Sequence, residues 1–599
     1  MRVLAGGSIK VPEGYDDLIT MYEWIERQHT LAVDTETTGL DIYSTDHRLR
    51  LVAIATPTEA YVYPVELYGS LDRLLVYLAE RRLVMHNASY DIQVFARHAP
   101  VPNSGALIRQ LWSRTRDTRI LAHQVDPRGS DEGGIGQTLE KLLAHYVPEC
   151  HKLKKELKAE YMRLRREKLL PKGVGTTDGD MYRYMPIDNE LYLLYAGTDA
   201  IGTARLFKIL SDKVDLTSEL TRNDHKVAMI ASLMDAKGFL LDLEYTQKLA
   251  DSLWEEEERQ KDIAYSYGIG NINSAPQIAE WLESNGILVP MTEKGNPSVD
   301  GKLLKELYGT ELEPAAEAIL AGRKAGKWRT TWVEKFLSGA DSAGRVHAST
   351  NTLRARTARF SITGIPAQTL PSGDGLVRSC FVADVNQLIV GVDYAQQELR
   401  FAAAKAPDAR MIQAFRNGED LHFLTAEAAW PGRGMEMRKY GKNGNFTVAY
   451  GGGVRALMTK YGMDFSAADA LVRANKSTYK GIQAFNKRLQ AEAKEFGYIT
   501  TWTGRKLPVD EGHEYAAQNY YVQSGCRDLT AHAMIRLYDA GYVDHMRLPI
   551  HDEILFSLPQ GLGDVHEVVR LMSTSVGVLD IPAEAKIGSH SWGSLYEKD

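Results

Sequence analysis

Four residues spaced four apart, Arg438, Lys442, Phe446 and Tyr450, occupy the segment RKYGKNGNFTVAYG. On an α-helix each such step advances about 40° beyond a full turn, so the four make one slowly spiralling stripe. Two cations lead and two aromatics follow. A stripe of this kind holds a triphosphate near the helix N-terminus, where the dipole favours anions, and lays a ring against a base farther along. Taken alone, the same spacing also describes a solvated edge that runs into a core stripe.

The flanking segments decide between these. Upstream, LIVGVDYAQQELR is an apolar run that ends in Asp393, with Glu398 five residues later; downstream, RLPIHDEILFSLP places His551, Asp552 and Glu553 between two short apolar runs. Each segment predicts a β-strand that delivers a carboxylate at its end. Phosphoryl transfer between nucleotides needs two acidic side chains that converge on a pair of Mg²⁺ ions. Asp393 and Asp552 are the candidates.

With those residues in view the chain resembles the DNA polymerase I family, family A. The stripe matches the fingers-helix pattern R-x3-K-x3-F-x3-YG, DYAQQELR resembles the first palm motif and HDE the third. Further matches run in order along the chain: Thr357, Arg359 and Gln368 in TARFSITGIPAQTLP, Asp420 and His422 in EDLHFLTA, GYITTWTGRKLP, Asn519 and Gln523 in AAQNYYVQSGCRD, and Trp592. The resemblance spans essentially the C-terminal two-thirds. It implies that Asp393, Asp552 and the carbonyl of Tyr394 hold the metals, with Glu553 adjacent. Arg438, Lys442 and His422 would neutralise the triphosphate, and Lys442 would donate a proton to pyrophosphate. Phe446, Tyr450, Glu398 and Gln396 would frame the nucleotide, Glu398 as the block to a 2′-hydroxyl. Arg359, Gln523 and Asn519 would contact the minor groove, with Gln368 and His551 also on the DNA. Ala395, Gln397, Ala358, Thr447 and Ser524 depart from the family pattern, none at a metal ligand or phosphate contact.

The N-terminal third carries a second acidic set. LAVDTETTGL predicts a strand with Asp34 and Glu36 on one face. Asp91 follows in HNASYDIQVF, and Tyr195 and Asp199 lie one helical turn apart in YAGTDA. Three or four carboxylates and a tyrosine suit a second two-metal site with water as nucleophile. The order DxE, N-x3-D, Y-x3-D resembles the proofreading 3′–5′ exonuclease of the DnaQ-like, RNase H-fold superfamily. It implies that Asp34, Glu36, Asp91 and Asp199 bind metal, that Tyr195 orients water, and that Leu40 wedges near the terminal base.

The implied fold is a multidomain α/β chain: an RNase H-like exonuclease domain over 1–215, then a right-hand polymerase domain over 216–599. Its thumb spans about 245–345, its palm about 346–408 and 509–599, and its fingers about 409–508. A boundary is expected near 210–225, and Ser274 and Gln277 in NSAPQ predict a helix start with a capping box. Residues 151–172 hold nine Lys or Arg against three Glu, with Leu153, Leu157 and Leu164 at roughly helical spacing. This segment is either a solvated helix face or an element guiding a frayed primer. Arg323, Lys324, Lys327 and Arg329 pose the same choice between a charged face and a thumb helix on the duplex.

At 599 residues with net charge −7, the chain has no bulk affinity for polyanions, so DNA contact must come from local basic surfaces. Three cysteines without a metal-binding spacing exclude a zinc module of the usual kind and fit a reducing cytosol. No apolar run reaches signal-peptide or membrane-span length. A cytoplasmic monomer is expected, working with primer-template DNA, dNTPs and two Mg²⁺ per site, for which Mn²⁺ can substitute. Helicase, primase and single-strand-binding protein are the candidate partners; no thioredoxin-binding insertion is visible. The layout looks like a bacteriophage replicative polymerase. A single-subunit RNA polymerase is disfavoured by Glu398 and by the second acidic set, and a non-catalytic DNA-binding protein by the intact carboxylates.

Overall fold

The computed structural model describes the chain except residues 1, 5, 6, 101, 102, 152, 293, 372–374, 450, 598 and 599. Tyr450, the last member of the aromatic stripe, therefore lies outside the described residues.

The N-terminal unit is built on a seven-stranded mixed sheet. Its order is Arg2–Leu4, Gly7–Lys10, Glu59–Pro64, Leu49–Ala55, Thr30–Thr37, Arg82–Met85, Thr115–Asp117. Strand Thr30–Thr37 lies inside this sheet, antiparallel to Leu49–Ala55 and parallel to Arg82–Met85. Burial on both faces explains its nearly continuous apolar and Thr-rich character. Helix Glu190–Ser211 packs across the sheet and buries Tyr192, Leu193, Ala196 and Ala200.

The C-terminal part centres on a four-stranded antiparallel sheet, Met546–Ile550, Glu553–Pro559, Gln387–Tyr394 and Ala583–Gly588 in that order. Helices Leu562–Met572 and Ala517–Asp539 share its core through Val568, Val522, Leu529 and Met534. Two long helices, Leu243–Ser266 and Glu313–Trp328, pack together beyond it. Helices Leu421–Ala429, Arg438–Ala449 and Phe465–Thr478 form a separate cluster.

Helix Glu190–Ser211 is followed by a short connection to helix Glu219–Lys237. The next helix, Glu219–Lys237, is no linker. It packs on Ala88–His98 and Ser104–Arg114 of the first unit and on Ala517–Asp539 of the second. Ser274 caps helix Ala275–Ser284 by accepting from Gln277 N at 3.4 Å, without the reciprocal half of a capping box.

Segment 151–172 forms helix Leu153–Arg166, which buries Leu153, Leu157, Tyr161 and Leu164. Much of its charge is spent internally: Lys158 pairs with Asp178 at 2.8 Å, Arg163 with Glu160 and Glu167, and Arg165 donates to Val174 O. The other basic set divides likewise. Arg323 donates to Ile272 O and Val299 O, and Arg329 pairs with Glu257, whereas Lys324 and Lys327 are exposed over the rings of Trp328 and Trp332.

Candidate active sites

Strand pairing brings Asp393 and Asp552 together. Asp393 stands opposite Glu553 in antiparallel register, and Tyr394 N donates to Asp552 O at 3.4 Å. Asp552 occupies a two-residue hairpin with His551, whose φ of +59° is left-handed. That conformation is uncommon outside glycine and turns the strand abruptly enough to aim Asp552 at Asp393. Gly391 leaves room for Glu553: a Cβ there would lie 2.4 Å from Glu553 Oε1.

Crowding shows in the titration of these groups. Burial, and then Asp552, push the Asp393 carboxyl up to about 6. Burial, and then Asp393, raise Glu553 to about 7, and burial also raises Asp552. Asp393 Oδ1 is buried without a hydrogen-bond partner.

A cavity of about 310 Å³ adjoins the pair, walled by Arg359, Glu398, Gln523, His551 and Asp552. Arg359 and Glu398 pair across it at 2.6 Å, a contact the sequence does not announce. Burial raises the Glu398 carboxyl, and Arg359 opposes the rise. Gln523 accepts from Thr357 at 3.3 Å, and Asn519, one turn earlier on the same helix, has a buried Oδ1 without a partner. Gln368, expected on the DNA, has both ends of its amide on backbone, donating to Phe360 O at 2.9 Å and accepting from Ile362 N at 3.3 Å. It braces the segment that carries Arg359. Gln396, at φ +53°, starts helix Gln397–Lys405, so its backbone turns the chain from Tyr394 to Glu398.

The predicted stripe is helical over Arg438–Ala449. Arg438 contacts Asp420, Lys442 is exposed, and the Phe446 ring lies 5.9 Å from that of His422. His422 Nδ1 is 3.2 Å from Asn445 Nδ2, and burial lowers its pKa with Arg438 and Lys442 adding to the effect. Gly441 permits this approach, since a Cβ there would meet His422 O at 2.0 Å.

The N-terminal acidic set lines a cleft of about 1150 Å³ that contains Asp34, Glu36, Tyr195 and Asp199. Burial, then neighbouring carboxylates, raise Asp34 and Glu36 well above the usual range. Burial brings Asp91 and Asp199 each to about 7, against hydrogen bonds from Thr35 and Tyr195 respectively. Asp91 Oδ1 accepts from Thr35 N at 3.0 Å and Thr35 Oγ1 at 2.7 Å. The Tyr195 hydroxyl is 3.2 Å from that of Tyr182, and Leu40 is 87% exposed at the cleft edge.

Among the described residues no three His, Cys, Asp or Glu side chains are already gathered around one point that could hold an ion. The donor chemistry nonetheless fits hard divalent cations at both centres. The side-chain donors are carboxylates, Glu36 and Asp91 buried and the others half-buried, they repel one another, and Asp393 keeps an unpartnered oxygen.

Comparison with known proteins gives the same division. The 3′–5′ exonuclease family model matches residues 10–215 and the DNA polymerase family A model residues 243–594. The chain is 42% identical to the DNA polymerase of Mycobacterium phage L5, over 99% of this chain and 98% of that one. It is 40% identical to the DNA polymerase of Mycobacterium phage D29 over the same shares. The POL domain of Pol1 from M. smegmatis, solved in complex with DNA primer-template and dNTP, shares the fold at a TM-score of 0.74 and 21% identity, covering 98% of this chain and 100% of that one. These matches, on top of the two carboxylate centres, place the chain in DNA polymerase family A, as a DNA-directed DNA polymerase that carries a 3′–5′ exonuclease domain.

Proposed function

We propose that this polymerase replicates a phage genome in the host cytoplasm, extending a primer at the Asp393 and Asp552 centre and proofreading at the Asp34 centre. The observation that carries the two-site assignment is the pair of separate, crowded carboxylate centres on different sheets. Residues 1–215 would be the exonuclease domain and 216–599 the polymerase, with thumb, palm and fingers near 245–345, 346–408 with 509–599, and 409–508. No helix among the described residues is long and apolar enough to cross a membrane. A monomer served by helicase, primase and single-strand-binding protein fits this role.

Two Mg²⁺ ions, or Mn²⁺ in their place, would supply charge neutralisation and activation of the attacking oxygen at each centre. Asp393, Asp552 and the Tyr394 carbonyl would hold one pair, and Asp34, Glu36, Asp91 and Asp199 the other. The chain's own part is positioning and fixed charge. Arg438 and Lys442 on helix Arg438–Ala449, with His422 from the neighbouring helix, would balance a triphosphate, and the exposed Lys442 would protonate pyrophosphate. Phe446 would pack on the incoming nucleotide and Tyr450 guard the templating position. Glu398, held by Arg359, would close the space at the 2′ carbon. Arg359, Gln523 and Asn519 would test pair shape in the minor groove, where acceptors occupy similar places for every Watson–Crick pair. His551 would meet the primer end. At the other centre Tyr195 would hold the attacking water beside Asp199, and Leu40 would part the terminal base.

Asp393→Ala or Asp552→Ala should abolish primer extension and leave Mg²⁺-dependent degradation of single strands; Asp34→Ala with Glu36→Ala should do the reverse. Loss of both activities from either change in a folded protein would refute the two-site assignment.

A further inference from the structure

The exonuclease cleft is not walled by the N-terminal unit alone. Arg354 and Arg356, which belong to the polymerase family match, line it together with Asp34, Glu36 and Asp199. Their segment is fixed from both sides. His123, on helix Thr118–Val125, is 3.0 Å through Nε2 from Ala355 O, and burial takes its pKa down to about 3, so the neutral ring donates there. Arg356 pairs with Asp510 at 2.9 Å and Glu132 at 3.4 Å, and lies over the Tyr520 ring.

Arg354, next to these anchors, is exposed, and among the described residues no hydrogen bond or ion pair engages it. It shares the cleft lining with a second cation. Arg119 also lines the cleft and donates to Asn87 Oδ1 at 2.6 Å; burial depresses its pKa, Asp117 opposes the fall, and Arg354 adds to it. Asp117, the anion near it, is occupied by the backbone N–H groups of Asn87, Ala88 and Arg119. Two guanidinium groups thus line one cleft near enough for Arg354 to act on Arg119, while the carboxylate beside Arg119 is taken up by backbone N–H groups, in a cleft that also holds Asp34, Glu36 and Asp199. Planar guanidinium forks match phosphate oxygens, and a bound phosphodiester would relieve their repulsion.

We propose that Arg354 and Arg119 form a phosphate-binding site for the single-stranded primer terminus in the exonuclease cleft, assembled jointly by the two halves of the chain. The proposal rests on the exonuclease assignment of that cleft. Arg354 carries the strand's backbone past the acidic floor, and the polymerase half thereby supplies part of the exonuclease's substrate binding. Arg356 and His123 act as positioning residues that hold Arg354 in place.

The test is steady-state hydrolysis of a short single-stranded oligonucleotide by the full-length protein over a range of salt concentrations. Arg354→Ala should raise KM about tenfold, as expected for one charge-assisted hydrogen bond, with kcat unchanged. The slope of log(kcat/KM) against log[salt] should fall by about one. Arg354→Lys, which restores the charge, should recover most of the KM and the slope. Unchanged KM and slope in Arg354→Ala would overturn the proposal, as would a fall in kcat at constant KM, which would mean that Arg354 acts only through the surrounding loop. Asp34→Ala serves as the separate check on the parent assignment: if that variant still hydrolyses the strand, the exonuclease assignment fails, whatever Arg354 does.

Discussion

Replacing Asp224 by Asn should destabilise the protein more than almost any other isosteric change, because it unbalances a charge network with no access to water. Asp224 is 1% exposed on helix Glu219–Lys237. It accepts from Arg505 at 3.0 and 3.1 Å, from Arg527 at 3.0 Å and from Gln124 at 2.9 Å. Both arginines also reach Asp528, at 3.3 and 3.0 Å, so two buried cations balance two buried anions. The Asn variant keeps the shape and leaves one positive charge uncompensated, a loss of about 3–5 kcal/mol. Spread over cooperative unfolding of a chain this long, that is a fall of about 2–4 °C in Tm. Urea unfolding followed by tryptophan fluorescence measures it, with the exposed pair Glu244 and Lys248 as control, where Lys248→Ala should have no measurable effect.

The pH dependence carries its own sign. Burial pushes the Asp224 carboxyl up, but Arg505 and Arg527 together outweigh burial and hold it far below the ordinary carboxylate range. A depressed pKa contributes stability that is complete above the unfolded value, about 3.9, and is lost as pH falls below it. The gap between wild type and Asp224→Asn should therefore be constant near neutrality and shrink below about pH 4. A loss under about 1 kcal/mol at neutral pH, or a gap that ignores acid, would refute the uncompensated-charge account.

Two further outcomes follow from single residues. Ala358, buried at φ +63°, already bears left-handed strain, so Ala358→Gly should cost less than about 0.5 kcal/mol, whereas Ala402→Gly in a buried helix should cost about 2 kcal/mol; equal losses on denaturation would count against strain at Ala358. Glu398→Ala should raise ribonucleotide incorporation relative to deoxynucleotides and free Arg359, read by single-nucleotide insertion kinetics with both sugars, and an unchanged ratio would sink the steric role of Glu398.

What was legible in the sequence is what repeats locally. The stripe from Arg438 to Phe446, the strand ends at Asp393 and Glu553, and the buried leucines of helix Leu153–Arg166 all follow helix or strand periods that elementary geometry sets. Contacts that close over long separations leave no such trace. Arg359 meets Glu398 across 39 positions, and Arg505 meets Asp224 across 281. Helix Ala517–Asp539 shows the limit from another side. It is buried nearly all round, with Gln518, Arg527, Asp528 and Thr530 inside along with its apolar residues, so it presents no single apolar face to detect. Gln397 became intelligible only in place: this polar residue, where the family pattern has Ile, donates to Cys526 O and to Thr530 on that helix.

The segment from Thr352 to Arg359 joins these threads. Arg527 donates to Thr352 O at 3.0 Å, His123 holds Ala355, Glu132 and Asp510 hold Arg356, Gln523 accepts from Thr357, and Glu398 takes Arg359. Left-handed Ala358 turns the chain between the part facing the exonuclease cleft and the part facing the polymerase cavity. Eight residues fastened at five points cannot shift at one end without straining the other, since packed interiors move between discrete arrangements and do not deform smoothly. Asp224→Asn loosens the first of these fastenings through Arg527, so it should depress extension and hydrolysis together, where a change at Asp393 or Asp34 depresses one. A joint loss would mean that the two activities are coupled through this segment, and a loss of one alone would refute the coupling.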